Sequence, residues 1–154
     1  MWLYNDAPID ENILKDYIGF VYSIANIEDD RVYIGKKLLK FKKTKKVKGR
    51  NKRSLVESDW KKYWGSNKSL IADVEELGEQ KFIRRILRLC VTKGEMSYYE
   101  AKYQFELGVL ESNRFYNDWI FVKVHRSHIK KVDFSSNCDI MKLLEGVNDH
   151  ALAK

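Results

Sequence analysis

Residues 19–36 decide the fold, and they read Gly19-Phe20-Val21-Tyr22-Ser23-Ile24-Ala25-Asn26-Ile27-Glu28-Asp29-Asp30-Arg31-Val32-Tyr33-Ile34-Gly35-Lys36. Apolar stretches rich in β-branched and aromatic residues flank an acidic segment, which predicts strands over 17–25 and 31–36 joined by a turn at 27–30. The resulting hairpin presents Tyr22 and Tyr33, eleven residues apart. Gly35 lets another backbone or a phosphate come close to the second strand.

Composition bounds the class of protein. The chain has 154 residues, of which 44% are hydrophobic and 13% aromatic, enough for one domain with a real core. It contains no run of about 18 apolar residues, so we expect no membrane span. The first residues lack a basic segment followed by an apolar one, so we expect no signal peptide. Cys90 and Cys138 form no metal-ligand spacing and no disulfide framework, which favours a cytoplasmic protein with reduced thiols.

The positive charge is concentrated in one segment. The net charge is +7, yet residues 36–53 alone hold eleven Lys or Arg and no acid, so the remainder carries −4. We interpret residues 37–56 as a long basic loop that binds a polyanion, because loops of this length are usually functional or disordered. The alternative is a solvated charged face. The candidate DNA-binding residues of this loop are Lys40, Lys42, Lys43, Lys45, Lys46, Lys48 and Lys52.

The rest of the chain alternates helical and strand patterns. The elements expected after the loop are a short helix at Trp60, a helix from Ser66 or Asn67 to Gly78, a strand over 81–91, a helix over 95–111 capped by Thr92, a strand over 119–124 and a final helix near Met141. This order predicts an α+β domain with one small sheet flanked by helices, similar to a sandwich. We divide the chain into an N-terminal arm (1–16), a domain (17–125) with a basic insertion (36–56), and a C-terminal extension (126–154).

Glu100 is the most informative single residue. It falls on the apolar stripe of the helix predicted over 95–111, four residues after Met96 and three before Tyr103. A carboxylate in that position must be paired, bound to a metal or open to a cleft. The alternative is a glutamate at the flank of the helix that reaches solvent. Asn117, taken alone, is a turn residue before a strand.

The tyrosines and the lysines after them form a second candidate group. A phenol near the cationic Lys36 and Lys37 should lose its proton more easily, which would suit a general base. The alternative is that Tyr22 and Tyr33 are core residues, because aromatic side chains are common in strands.

These parts together resemble the GIY-YIG endonuclease superfamily over residues 17–122. Phe20-Val21-Tyr22 stands in place of Gly-Ile-Tyr, and Tyr33-Ile34-Gly35 matches the second motif literally. Glu100 matches the metal-binding glutamate of the family, and Asn117 matches the asparagine downstream of it. The resemblance implies a central sheet of three mostly antiparallel strands flanked by helices.

The sequence departs from the family pattern in two places. Gly19 comes one residue too early, so Phe20 stands where a glycine is usual. Family members also carry a catalytic arginine about ten residues after the second motif, but residues 40–46 contain none. Arg50 and Arg53 are the nearest candidates, and Arg53 is favoured because it borders the segment where order resumes.

The resemblance implies hydrolysis of phosphodiester bonds with one divalent metal, Mg²⁺, for which Mn²⁺ can substitute. Glu100 would be the protein ligand of that metal. The remaining roles that the resemblance implies are activation of water by Tyr22 with its proton affinity lowered by Lys36 or Lys37, lining of the cleft by Tyr33, stabilisation of phosphoryl charge by Arg50 or Arg53, and support of the cleft wall by Asn117.

The expected partner is double-stranded DNA, with no membrane involved. A free-standing restriction-like, repair or phage-type nuclease fits the length. If the chain is phage-encoded, it is expected in the cytoplasm of the host cell. Compact restriction members often act as dimers, so a homodimer stays open. The main alternative is a non-catalytic nucleic-acid-binding module that uses the lysine-rich loop, and another is a small structural protein that packs on a nucleic-acid-bound partner.

Overall fold

The computed structural model describes residues 1–128, apart from the side chains of Lys45 and Val47. The helix predicted near Met141 lies outside this range. The strands are β1 (Trp2–Tyr4), β2 (Ala7–Pro8), β3 (Gly19–Asn26), β4 (Val32–Leu38), β5 (Lys40–Val47), β6 (Arg50–Glu57) and β7 (Phe82–Cys90), and the α-helices are α1 (Lys68–Leu77) and α2 (Lys93–Glu106). Neither helix within residues 1–128 has the length and apolar character needed to cross a membrane.

The main sheet has five strands in the order β2-β1-β7-β3-β4. Neighbours are antiparallel except β1 and β7, which run parallel. The α+β class is therefore confirmed, whereas the prediction of three strands is wrong. The segment expected as an N-terminal arm supplies the two additional strands. Trp2 anchors this segment to the domain, because its side chain is only 2% exposed and its indole N–H donates to the Trp60 carbonyl oxygen at 2.8 Å.

Both faces of the sheet are covered. Every residue of β3 is buried, as expected of a central strand with a layer on each side. On one face, Leu70 and Val74 of α1 pack in the cluster that contains Phe20 and Tyr22. On the other face, α2 contributes Met96, Tyr99 and Tyr103 to a second cluster with Val21 and Ile34.

The predicted tyrosine hairpin is confirmed as β3 and β4. In its register Tyr22 lies opposite Gly35, and Ile24 lies opposite Tyr33. Because side chains alternate along a strand, Tyr22 and Tyr33 are on the same face as diagonal neighbours. Their ring centroids are 6.1 Å apart.

The basic segment is a second hairpin, so the interpretation of residues 37–56 as a loop is wrong. β5 and β6 pair antiparallel along their full length as a separate two-stranded sheet. Lys48 and Gly49 connect them with φ of 48° and 75°. Two central residues with positive φ make the type I′ turn whose twist matches a two-residue hairpin. This turn explains how a lysine-rich segment with weak strand propensity is paired.

The helix boundaries follow the expected caps. Asn67 accepts a hydrogen bond from the Leu70 N–H at the start of α1, and Thr92 accepts one from the Glu95 N–H at the start of α2. Gly78 follows α1 with φ of 87°. α2 ends at Glu106, five residues before the predicted end at 111. The short helix expected at Trp60 is a single 3₁₀ turn, Trp60–Lys62.

A segment after α2 completes the outer edge of β4. The Val32 N–H donates to the Arg114 carbonyl at 2.8 Å, and the Tyr116 N–H donates to the Val32 carbonyl at 2.9 Å. Asn117 continues this ladder with its side chain: its Oδ1 accepts from the Ile34 N–H at 2.9 Å and its Nδ2 donates to the Ile34 carbonyl at 2.8 Å. Pairing thus occurs at 114–117, and the strand predicted over 119–124 is not formed.

Asn117→Ala should lower the free energy of unfolding by roughly 2–3 kcal/mol, because the Ile34 N–H would lose its partner in a buried position. Gln104 also donates to the Ile34 carbonyl, at 3.1 Å, which limits the loss. Urea unfolding followed by tryptophan fluorescence measures the change. Asn113→Ala is the matched control, because that exposed side chain should matter by less than about 0.5 kcal/mol. Equal losses in the two variants would contradict the structural role of Asn117.

Candidate active site

A cleft of about 570 Å³ opens at the outer edge of β4. The start of α1, the middle of α2 and the segment after Asn117 close around it. Its lining residues are Tyr33, Lys36, Ser66, Asn67, Lys68, Glu100, Gln104, Asn117, Asp118, Trp119 and Phe121. Four residues singled out from the sequence, Tyr33, Lys36, Glu100 and Asn117, are thus brought together.

Glu100 projects from α2 into this cleft, and its side chain is only 14% exposed. Its Oε2 pairs with the Lys36 Nζ at 2.7 Å. Burial raises the pKa of the Glu100 carboxyl above its usual value, and the hydrogen bond and charge of Lys36 act in the opposite direction. Glu100 therefore combines two of the situations expected for a carboxylate on an apolar stripe: it is paired, and it faces a cleft.

Lys36 and Lys37 point to opposite faces of β4, as adjacent strand residues must. Lys36 lies on the α2 side, where it also donates to the Ser97 hydroxyl at 3.1 Å. Lys37 pairs with Asp59 at 2.7 Å and lies 3.4 Å from the centre of the Tyr63 ring. The structure therefore separates two lysines that the sequence analysis had treated together.

Tyr33 is the phenol that lines the cleft. Its hydroxyl lies 3.2 Å from the Ser66 hydroxyl at the entry to α1. Burial raises the pKa of Tyr33, while the hydrogen bond to Ser66 lowers it. The net shift is upward, so the phenol keeps its proton at neutral pH and can both donate and accept a hydrogen bond.

Tyr22 is a core residue with 1% exposure. Burial, followed by the nearby Tyr33 and Tyr63 phenols, raises the pKa of Tyr22 well above its usual value. The prediction that a lysine lowers this pKa is wrong, because Lys36 and Lys37 pair with carboxylates instead.

Gly35 is the residue that lets the Tyr22 side chain cross β4. A Cβ at position 35 would come within 2.6 Å of the Tyr22 hydroxyl oxygen and 2.8 Å of the Tyr33 ring. A real Cβ could not be accommodated without moving both rings. The glycine expected to admit a backbone or a phosphate therefore admits a phenol, and it sets the contact between the two tyrosines.

The two candidate arginines are absent from this lining. Arg53 lies opposite Thr44 on β6, four residues or about 13 Å from the base of the hairpin. Arg50 is beside the turn at its far end. The candidate DNA-binding lysines, from Lys40 to Lys52, belong to the same hairpin and its turn. Among the residues described, the cations that line the cleft are Lys36 and Lys68.

Sequence reasoning missed several residues of the cleft. Lys68 follows the predicted cap Asn67, so its place at a helix start was visible, but nothing in the pattern pointed that end toward Glu100. Trp119 and Phe121 fall in the strand predicted over 119–124, which does not form, and they are 71% and 69% exposed. They lie at the cleft because Asn117 ends the pairing with β4 just before them.

The residues present suit a hard divalent cation held by few protein ligands. Glu100 and Asp118 are the carboxylates of the lining, and Asp118 accepts a hydrogen bond from Asn67 at 2.8 Å. Across residues 1–128 no group of three or more His, Cys, Asp or Glu side chains could hold a metal. Mg²⁺ is typically bound through one or two carboxylates plus waters and substrate phosphates, so Glu100 in an open cleft fits it.

Comparison with known proteins identifies the family. Residues 2–120 match the family model described as "Putative endonuclease segE, GIY-YIG domain". Neither a curated protein nor a solved structure matches the chain. The matched span contains the whole five-stranded sheet, both α-helices, and the cleft residues as far as Trp119. Since it covers well over half of the 154 residues, this chain belongs to the segE family of GIY-YIG endonuclease domains.

Proposed function

We propose that the chain is a metal-dependent endonuclease that hydrolyses phosphodiester bonds of double-stranded DNA in the cleft beside β4. The observation that carries this proposal is Glu100, a largely buried carboxylate that faces an open cleft next to Tyr33 and Lys36. Burial raises the pKa of this carboxyl, and a carboxyl with a perturbed pKa that faces a cleft is typical of functional sites.

Glu100 is proposed as the protein ligand of one Mg²⁺, with Mn²⁺ as a substitute. When bound there, such an ion stabilises negative charge on the leaving 3′ oxygen. Lys36 competes for the same carboxylate, because its ammonium lies 2.7 Å from Oε2. Lys36 can instead turn toward a phosphate once its hold on Glu100 is relaxed, since the lysine stem is flexible.

Tyr33 is proposed to orient the attacking water. Its hydroxyl is held by Ser66 and exposed to the cleft, so a neutral phenol can fix a water by hydrogen bonding. Tyr22, for which the resemblance implied this role, is buried behind Tyr33. We assign Tyr22 as a positioning residue that fixes the ring of Tyr33.

Lys68 and Lys36 are proposed as the cations that stabilise charge on the phosphoryl oxygens. Both line the cleft, whereas Arg50 and Arg53 lie on the hairpin. A lysine supplies a point charge without the bidentate geometry of arginine. Asn117 supports this arrangement by holding β4 at Ile34.

The second candidate is a non-catalytic nucleic-acid-binding module. It is favoured by the position of the arginines, which leaves the cleft with lysines alone among the described cations. The cytoplasm as the site of action and a homodimer as the active form remain predictions from the sequence.

Glu100→Gln should reduce cleavage of plasmid DNA by at least about two orders of magnitude, because metal-assisted charge stabilisation contributes several kcal/mol. The assay compares rates in Mg²⁺, in Mn²⁺ and with EDTA. Glu111→Gln, the same change at an exposed glutamate, is the control and should cut like the wild type. Wild-type protein that binds DNA but never cuts it would support the binding module instead.

The pH dependence of cleavage should report Glu100. Its pKa is raised, so the carboxylate that binds metal is lost as pH falls through a value above the usual one for glutamate. Lys36 lowers that pKa, and Lys36→Met should therefore move the acid limb of the rate profile to higher pH. The readout is the position of the limb on the pH axis, not the height of the plateau.

Lys68→Met is the matched control for this shift. Lys68 lines the same cleft, but it is not among the causes of the Glu100 pKa shift, which are burial and Lys36. Its loss should lower the plateau and leave the limb in place. An unmoved limb in Lys36→Met would show that another group controls the acid side of the profile.

Tyr33→Phe should lower the cleavage rate by about 10²-fold, the loss expected when an attacking group is misplaced by about 1 Å. Its metal affinity, measured with Mn²⁺ by calorimetry, should stay near that of the wild type, because the phenol is not a proposed ligand. Tyr17→Phe, a half-buried tyrosine outside the cleft, controls for loss of a hydroxyl. Wild-type turnover in Tyr33→Phe would remove this residue from the mechanism.

A further inference from the structure

The hairpin of β5 and β6, residues 40–57, is a regular paired structure, whereas a basic tail that only binds phosphates can be unstructured. Each strand is eight residues long, which gives a ribbon of about 27 Å. A two-residue turn with positive φ at both positions closes it. Its base is fixed to the main sheet, because the Leu39 N–H donates to the Ile18 carbonyl and the Ser58 N–H to the Leu39 carbonyl, both at 2.9 Å.

The cations of this ribbon occupy both of its faces. Cross-strand partners share a face and successive residues alternate, so the register separates the cations into two sets. One set is Lys40, Lys42, Lys46 and Arg53, and the other is Lys43, Arg50 and Lys52. All seven are exposed, and none of them forms an ion pair with the described side chains of residues 1–128.

Because both faces of the ribbon carry cations, we expect negatively charged groups to contact it from both sides. An arm lying on the outside of a nucleic acid would turn one face to phosphates and the other to water. The major groove of B-DNA has a phosphate backbone on both walls, is about 12 Å wide, and admits a two-stranded β-ribbon. A ribbon standing in that groove, about 10 Å thick with its side chains, would bring each set of cations to one wall.

A second pocket connects the hairpin to the cleft. Its volume is about 370 Å³, and it is lined by Phe41 at the base of the ribbon, by Lys36, Lys37 and Lys93, and by Asp59, which pairs with Lys37. Lys36 lines the active-site cleft as well. One duplex can therefore contact the ribbon and the cleft together. At about 3.4 Å per base pair, the ribbon spans about eight base pairs.

We propose that the β5–β6 hairpin enters the major groove of duplex DNA and contacts the phosphates of both walls. The inference rests on the proposed function for its substrate class. It assigns the hairpin to holding and aligning the duplex, and the cleft residues to hydrolysis.

Two matched triple variants test the use of both faces. Lys42→Gln/Lys46→Gln/Arg53→Gln changes one face, and Lys43→Gln/Lys52→Gln/Arg50→Gln changes the other, each with two lysines and one arginine. Binding of the full chain to a fluorescent duplex of about 30 base pairs is measured with EDTA across a salt series. The logarithm of the association constant falls as log[salt] rises, and each variant should make this slope shallower by about 2–3. The proposal would be overturned if the salt dependence of binding changed in only one of the two variants, or in neither of them.

A modified duplex tests the groove. Bulky substituents at C5 of the pyrimidines fill the major groove, where that position projects. They should weaken binding of the wild-type chain at least tenfold and weaken the variants less, whereas unchanged wild-type affinity would contradict insertion. Because EDTA blocks metal-dependent cutting, these results stand apart from the proposed activity. A chain that binds in this way without ever cutting would overturn only the nuclease proposal.

Discussion

The hydrogen bonds between the Asn117 side chain and the backbone of Ile34 hold the cleft together. β4 is the last strand of the sheet, and its outer N–H and C=O groups would otherwise need water or another chain. The amide of Asn117 satisfies both groups at Ile34 and ends the ladder there. Tyr33 and Lys36, on either side of Ile34, therefore keep a fixed position relative to Glu100 on α2. The same termination turns the following residues away, which opens the cleft between α1 and α2.

Two opposing effects act on the charge of the Glu100 carboxyl. Burial disfavours the carboxylate and is the larger effect, while the hydrogen bond and charge of Lys36 favour the carboxylate. The pair keeps both charges in a partly buried position, with Asp118 as the other carboxylate that lines the cleft. A divalent ion and a phosphate together present one positive and one negative partner, which is the charge pattern needed to replace each half of this pair.

The sequence was most informative where local and global signals agreed. The hairpin of β3 and β4, the caps Asn67 and Thr92, and the place of Glu100 on a cleft-facing helix follow from strand propensity, capping chemistry and helical spacing. Pairing between distant segments could not be read in this way: β1 joins β7 across about 80 residues, and no local pattern marks Trp2 as core. The basic segment misled because lysine is a poor strand former, and the type I′ turn at Lys48-Gly49 carried the only signal of pairing. Tyr22 looked like a base because the predicted hairpin brings it near Lys36 and Lys37, but those lysines pair with Glu100 and Asp59.

The two ends of the basic hairpin lie side by side, which affects how this segment can change in evolution. Leu39 and Ser58 are hydrogen-bonded neighbours, so the eighteen residues between them leave and re-enter the domain at one point. An insertion with adjacent ends can change length or composition with little cost to the surrounding fold. Selection could therefore exchange one ribbon for another while the cleft beside β4 stays intact. The same property makes this position a natural graft site for engineered recognition elements.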